Sequence, residues 1–333
     1  MAGVKALRKV QLGLESTKGT AVAATALWRG TGTIEDKREV VFPDEDIGYL
    51  SGVDRSYTPK YAAALSFDDA PATYEQLPYI LAAGVKDVVT GAADGAGTDK
   101  IYTYTFPTTA KNSLKTYTIE GGDDQQAEEM EYAYVEAFKI SGKGGEAIMV
   151  QADWVGRQVA LSTFTGAIAV PTVEEMLFGK TKLYLDAVGG TLGATQKTNT
   201  LLEFELAVKT GWIPKFTADG SLYFSFHEST MPEVTLSLTY EHDTHGVAGK
   251  ADWRAETPRQ IRLLTEGSSV ATPGTTYSVK TMKIDVAGKW EAFDKIDEVD
   301  GNDVVKGTMR IRYDSTAALF ASIIVVNELV SLT

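Results

Sequence analysis

The feature that most constrains this chain is a period-two alternation of apolar and polar residues, repeated in segment after segment. Val10, Leu12 and Leu14 alternate with Gln11 and Gly13, and Tyr102, Tyr104 and Phe106 with Thr103 and Thr105. Phe204, Leu206 and Val208 alternate with Glu203, Glu205 and Ala207. Leu222, Phe224 and Phe226 keep the same rhythm, as do Val234 to Tyr240 and then Met309, Ile311 and Tyr313. Successive side chains of a strand point to opposite faces, so the pattern predicts half-buried strands and a mainly β fold. The abundance of Tyr, Thr and Val suits pleated surfaces, and the frequent glycines supply turns.

Helix signals are few. Thr73-Tyr-Glu-Gln76 is a capping box before Leu77–Ala83, with Gly84 as a natural stop and Pro78 making the helix irregular. A second box, Thr172-Val-Glu-Glu175, follows Pro171 near the middle of the chain and predicts a short linker helix ending at Gly179. Asp252–Glu256, stopped by Pro258, is a third candidate.

The two halves share an element order. Val10–Glu15 has a counterpart in Lys182–Asp186, Thr58-Pro-Lys-Tyr61 in Ile213-Pro-Lys-Phe216, and Leu65-Ser-Phe67 in Leu236-Ser-Leu238. Leu114–Gly121 resembles Gln260–Gly267, and the hairpin of Tyr132–Ile140 with Glu146–Trp154 resembles Tyr277–Val286 with Val305–Tyr313. This predicts two similar antiparallel β-sandwich domains, 1–168 and 178–333, each with a short flanking helix, joined by a linker at 169–177. Three segments stand outside that pattern: the charged excursion Glu35–Tyr57, the Gly-rich tip Gly91–Lys100, and Lys209–Glu233 with its large aromatics. Aromatics on long hairpins mark either contact surfaces or a roof over their own sheet.

Composition narrows the chemistry. Without cysteine the chain has no thiolate nucleophile, iron–sulfur cluster, zinc finger or CxxC redox pair. A formal charge of −13, shared evenly by the halves and unbroken by any basic stripe, argues against a sequence-reading nucleic-acid binder. The N-terminus lacks the apolar core of a signal peptide, and the most apolar run, Ala317–Val326, is too short to span a membrane. The expectation is a soluble chain without a classical leader.

Motifs for catalysis and ligand binding are nearly absent. His242 and His245 lie beside Glu241 and Asp243 but have no third His or Cys near them, so a polar loop after a strand is the simpler reading. His227 reads as a surface or interface residue. Asp297–Asp303 fails the register of a calcium loop and reads as a hairpin turn. The acids from Glu120 to Glu131 cluster on a Gly-rich turn, where field-shaping is simpler than the paired-carboxylate chemistry of a glycosidase. No GxxxxGK[ST], GxSxG or HExxH occurs, and no GxGxxG follows a strand. The expectation is no enzyme, no cofactor and no metal.

An acidic, cysteine-free, β-rich chain with a duplicated layout and long hairpins resembles the major tail tube proteins of long-tailed, siphovirus-like bacteriophages. The likeness lies in Ala6–Thr20, in Leu27-Trp-Arg-Gly30 before the charged excursion, and in Ala64-Leu-Ser-Phe67. It continues through Tyr74-Glu-Gln-Leu77, Ala82-Ala-Gly84, Tyr102–Pro107 and Tyr117-Thr-Ile-Glu120. Residues 1–160 carry most of it, and 171–333 match through the duplicated elements.

The resemblance implies a structural virion protein, assembled in the host cytoplasm, whose copies form rings with their inner sheets merged into one barrel. Rings stack into a hollow tail tube that houses the tape measure protein and conducts DNA during ejection without binding it specifically. Tail terminator and tail tip proteins are the further partners, and no membrane is involved. Three two-domain chains per ring fit a duplicated subunit, with hexameric rings as the other arrangement. Extended arms stack the rings in that family, and here the expected anchors are Val41, Phe42, Ile47 and Tyr49, then Trp212, Ile213 and Phe216. The expected lumen residues are Asp68, Asp69, Glu131, Asp285, Arg310 and Arg312, in a channel that is acidic overall. The main rival is another β-rich virion component, such as a terminator, sheath, baseplate or decoration protein. A carbohydrate-binding sandwich using Trp154, Trp212 and Trp253, and a hydrolase using the acidic clusters, are the others.

Overall fold

The alternating segments form antiparallel strands in a computed structural model that describes residues 3–332. The first half contains β1 (Lys9–Leu14), β2 (Ala26–Leu27), β3 (Gly32–Asp36), β4 (Glu39–Val41), β5 (Tyr57–Lys60) and β6 (Ala63–Pro71). Helix α1 (Leu77–Gly84) follows, then β7 (Ala92–Ala93), β8 (Lys100–Thr105), β9 (Tyr117–Gly122), β10 (Ala127–Lys143), β11 (Met149–Gly156) and β12 (Val159–Ser162). The second half contains β13 (Thr181–Ala187), β14 (Gln196–Lys197), β15 (Leu201–Lys209), β16 (Trp212–Lys215), β17 (Phe226–Ser229) and β18 (Glu233–Glu241). It continues with α2 (Thr244–Arg254), β19 (Arg259–Ser269), β20 (Val279–Phe293), β21 (Asp297–Val299), β22 (Asn302–Ile311) and β23 (Ala321–Asn327).

The strand pairings of the first half recur in the second. β1 pairs with β2 and β9, β9 with β10, β10 with β12 and β11, β11 with β6, and β6 with β3. In the same order β13 pairs with β14 and β19, β19 with β20, β20 with β23 and β22, β22 with β18, and β18 with β15. The hairpins β4–β5 and β16–β17 occupy the same place in each series. Glu136 and Glu291 are bulged residues in β10 and β20, each opening an identical Glu-Ala-Phe tripeptide. The match of Thr58-Pro-Lys with Ile213-Pro-Lys is a coincidence of composition, because pairing order sets β5 against β17 and β4 against β16.

The halves are joined edge to edge. β10 and β15 pair antiparallel from Ala137↔Lys209 to Lys143↔Glu203. One sheet therefore runs β3–β6–β11–β10–β15–β18–β22–β20 through both halves. Its ladders branch at β10 and β20, and among the described residues they do not return on themselves. Strand β8 crosses over to pair with β23. One apolar core is continuous through both halves, from Leu12, Leu65 and Trp154 to Leu238, Ile284 and Val325. Trp28 stacks on Phe67 at 4.3 Å, and Phe67 meets Trp154 edge-on at 5.5 Å. Burying one such side chain contributes roughly 2–3 kcal/mol.

The two helices differ as their sequences do. Helix α1 is apolar on every side and wholly buried, and the Gln76 amide donates to Thr73 Oγ1 at 3.2 Å as the capping box predicts. Helix α2 is polar and starts earlier than expected. Asp243 accepts from the His245 and Gly246 amides at 2.8 and 3.0 Å, so the supposed loop around His242 and His245 is a helix N-terminus.

Three other expectations need correction. The linker at 169–177 is not helical: Met176 is fully buried, and its backbone pairs with Ala72 and Ile148 on either side, which holds the chain extended. Residues 221–225 form no strand; Phe224 turns inward while Leu222 and Phe226 stay exposed. The Gly-rich tip 91–100 is a clasp onto the other half: Asp94 accepts from the Thr276 and Tyr277 amides at 2.8 and 2.7 Å. Burial works against the Asp94 carboxylate, but those donations outweigh it and hold its pKa low. Asp99, beside it, is fully buried with neither carboxyl oxygen partnered among the described residues, and burial pushes its pKa up. A raised carboxyl pKa stabilises the fold only at acid pH, and its contribution is lost as pH rises through the folded value. Asp99→Asn should therefore raise stability at pH 7 by about 1 kcal/mol, measured by urea unfolding, and should have little effect near pH 3.

Candidate assembly interface

One face of the continuous sheet packs on the core and the other is polar, because each of its strands alternates. Ser66 donates to Asp153 at 2.7 Å and Ser237 lies 3.1 Å from Thr308, linking neighbouring strands across that face. Lys139 approaches Asp69 at 3.9 Å, Lys209 meets Glu233 at 3.2 Å, and Arg310 meets Glu291 at 3.3 Å. The face thus carries both signs in near balance rather than a uniformly acidic field. Both edges of the sheet are open among the described residues: β3 pairs only with β6, and beyond Gly288 β20 pairs only with β22. Unpaired edge strands are templates for another chain.

The structure brings Asp68, Asp69, Arg310 and Arg312 to this sheet, all exposed. It places Glu131 and Asp285 elsewhere. Glu131 is buried on the β9–β10–β12 side, where it accepts from Gln158 at 3.1 Å, and burial raises its pKa. Asp285 is buried opposite Arg262, which grips it with two hydrogen bonds of 2.7 and 2.9 Å. Alternation was the right guide within a strand, but β10 and β20 each belong to two sheets, and their N-terminal parts leave the polar face.

The two arms behave differently. In the first, Phe42, Ile47 and Tyr49 are 68%, 52% and 74% exposed, while Val41 is half-buried. In the second, Trp212 is buried, contrary to its expected role as a protruding anchor; Ile213 is half-buried and Phe216 exposed. The cause is a cluster made with the first half: Trp212 and Phe224 pack with Leu114, Tyr132 and Tyr134, and Trp212 Nε1 donates to the Gly84 carbonyl at 2.9 Å. Arg157 fastens the tip, donating to the Phe224 and Ser225 carbonyls at 3.0 and 2.6 Å with its guanidinium 4.4 Å from the Tyr132 ring centre. The second arm is a clamp that lies across the first half beside the β10–β15 ladder.

Sequence reasoning missed Glu15 and put Glu120 in an acidic turn cluster, whereas both are buried carboxylates on the other sheet. Glu15 accepts from the Gly19 and Tyr132 amides, both at 2.7 Å, and from the Thr116 and Thr118 hydroxyls at 2.6 and 3.1 Å. Glu120 accepts from the Thr165 amide at 2.7 Å and from its hydroxyl at 2.5 Å. These carboxylates hold loops over the strands. The aromatics proposed as a glycan platform are dispersed, with Trp154 in the core, Trp212 in the clamp and Trp253 against Phe293.

The chain matches no known protein-family model, and no curated protein sequence matches it.

His227 sits inside the clamp, its ring 5.1 Å from Trp212 and 5.3 Å from Tyr134, with Lys18 Nζ at 3.5 Å. Burial, and then the Lys18 charge, push its pKa down from 6.5 to about 4. The unfolded chain takes up this proton first, so stability is complete above pH 6.5 and falls as pH drops toward 4. Allowing for the ring's partial exposure, the loss is on the order of 2 kcal/mol. Urea unfolding at pH 7.5 and pH 4.5 should show that dependence reduced in His227→Phe relative to the parent.

Proposed function

We propose that this chain is a structural subunit of a bacteriophage tail tube, made of two tandem tube repeats over residues 1–168 and 178–333. The observation that carries the reading is the β10–β15 ladder. The chain already contains one lateral joint between two copies of the same pairing scheme, and it leaves the matching edges, β3 and the C-terminal part of β20, unpaired. Repeating the joint from chain to chain would pair those edges and, on closure, leave none open.

Three chains then supply six repeats to a ring, and rings stack through a contact that does not close on itself, which generates a tube. The sheet's polar face lines the channel. Its paired charges offer the phosphate backbone no run of cations, so passing DNA gains little counterion-release attraction. A tape measure protein would fill the channel before ejection, and terminator and tip proteins would cap its ends. The role is structural, with no catalytic step. Another β-rich virion component would share the joint but not the stacking.

Electron microscopy and native mass spectrometry of the purified protein test this directly. The expected result is rings of three chains that stack into hollow tubes. Rings that never stack favour a terminator or baseplate role, and a chain that stays monomeric at its highest soluble concentration overturns the reading.

A further inference from the structure

We infer that the first arm, residues 38–60, is a lateral clamp that docks on the second half of a neighbouring copy, with Arg312 as its anchor. This reassigns the arm from stacking rings to closing them. It rests on the self-assembly part of the reading above and is independent of what the channel conducts.

Besides its aromatic cluster and the Lys111–Glu228 ion pair, the second arm is held on the first half by backbone contacts at three places. The Thr210 amide donates to the Glu136 carbonyl at 2.9 Å, and the Tyr61 amide donates to the Leu222 carbonyl at 2.9 Å. Arg157 grips the carbonyls of Phe224 and Ser225. Two of the groups on the receiving half, Glu136 and Arg157, have counterparts of the same chemistry in the second half. Glu291 is the counterpart of Glu136 by its bulge and its tripeptide, and Arg312 follows Glu291 by 21 residues as Arg157 follows Glu136 by 21. Pro232 stands before β18 where Tyr61 stands before β6, but a proline has no amide N–H, so that contact is not repeated and Pro232 offers only apolar surface.

Glu291, Arg312 and Pro232 line one open groove of about 520 Å³, together with Met231, Tyr313 and Phe320. Met231 and Tyr313 are 75% and 53% exposed there. The site that the second arm fills on one half is therefore empty on the other. The segment that pairing order assigns to it is the first arm, whose Phe42, Ile47, Tyr49 and Leu50 are exposed. That arm cannot reach the groove of its own chain by the repeat's geometry, because the equivalent step leads to the next copy. A second copy of this chain is thus the occupant. Residues 53–56 precede β5 as Phe224 and Ser225 precede β17, so their carbonyls are the expected acceptors for Arg312.

The absence of cysteine makes the test clean. Ser56→Cys and Tyr313→Cys variants are purified separately, mixed under assembly conditions and mildly oxidised. Arg312→Glu is assayed alongside by sedimentation velocity, with circular dichroism to verify its strand signal. The inference predicts a mixed Ser56–Tyr313 disulfide between chains, and self-association weakened at least tenfold in a folded Arg312→Glu protein. Assembly that proceeds with no mixed disulfide and with Arg312→Glu at parental strength overturns the inference while leaving self-assembly standing. Ser56–Ser56 disulfides with no mixed product overturn it in favour of arm-to-arm stacking. A parent chain that never associates overturns both this inference and the assembly it rests on.

Discussion

The structure depends on the ladder between β10 and β15. That ladder turns two similar halves into one sheet, and the second arm lies beside it as a clamp whose aromatic anchors are buried only because the ladder sets the halves at a fixed distance. Backbone pairing fixes register, since a slip by one residue would turn every side chain of β15 to the wrong face. The clamp adds apolar burial that the ladder lacks, and Trp212 and Phe224 are its anchors.

Further ties lock the halves elsewhere. Lys280 reaches across to Glu75 at 2.6 Å and to Glu174 at 3.4 Å, while Asn327 donates to the Tyr74 carbonyl at 2.6 Å. Breaking the Lys280 contact would strand a buried Glu75, a defect of about 3 kcal/mol. The repeat is nevertheless unequal in its covering. Helix α1 lies beneath the second arm's Trp212, whereas α2 buries only Gly246 and Gly249 among its residues and has no arm over it. The half that receives an arm is enclosed, and the half that receives none is open. This inequality makes the chain read as a unit with one joint formed and one joint vacant.

The strands were largely legible because alternation is local: Phe204, Leu206 and Val208 turn inward and their neighbours outward, as their spacing dictates. The capping box at Thr73 was legible for the same reason. What depends on distant partners was not. Trp212 follows a glycine and sits two residues before a proline, like the tip of an exposed arm, and it is buried only by a cluster drawn largely from the first half, Leu114, Tyr132, Tyr134 and the Gly84 carbonyl. Thr172–Glu175 carries a helix-start signal, yet Met176 entering the core pulls the segment straight. Glu131 and Asp285 stand on strands at positions that alternation would turn outward, and covering loops or an opposed arginine bury them. One readable signal pointed further than the strand patterns did: the shared Glu-Ala-Phe of 136–138 and 291–293 fixes the register of the repeat and, through it, the correspondence of Arg157 with Arg312.

The central claim is that the joint inside the chain is repeated between chains. Hydrogen–deuterium exchange, compared between unassembled chain and assembled particles, reads it at the two open edges. The account predicts that those amides of β3 and of residues 289–293 that face away from β6 and β22 exchange freely in the unassembled chain and become protected together on assembly. Amides of β10 and β15 at their mutual ladder should be protected in both states. Assembled particles in which both open edges exchange as fast as in the free chain would contradict the account.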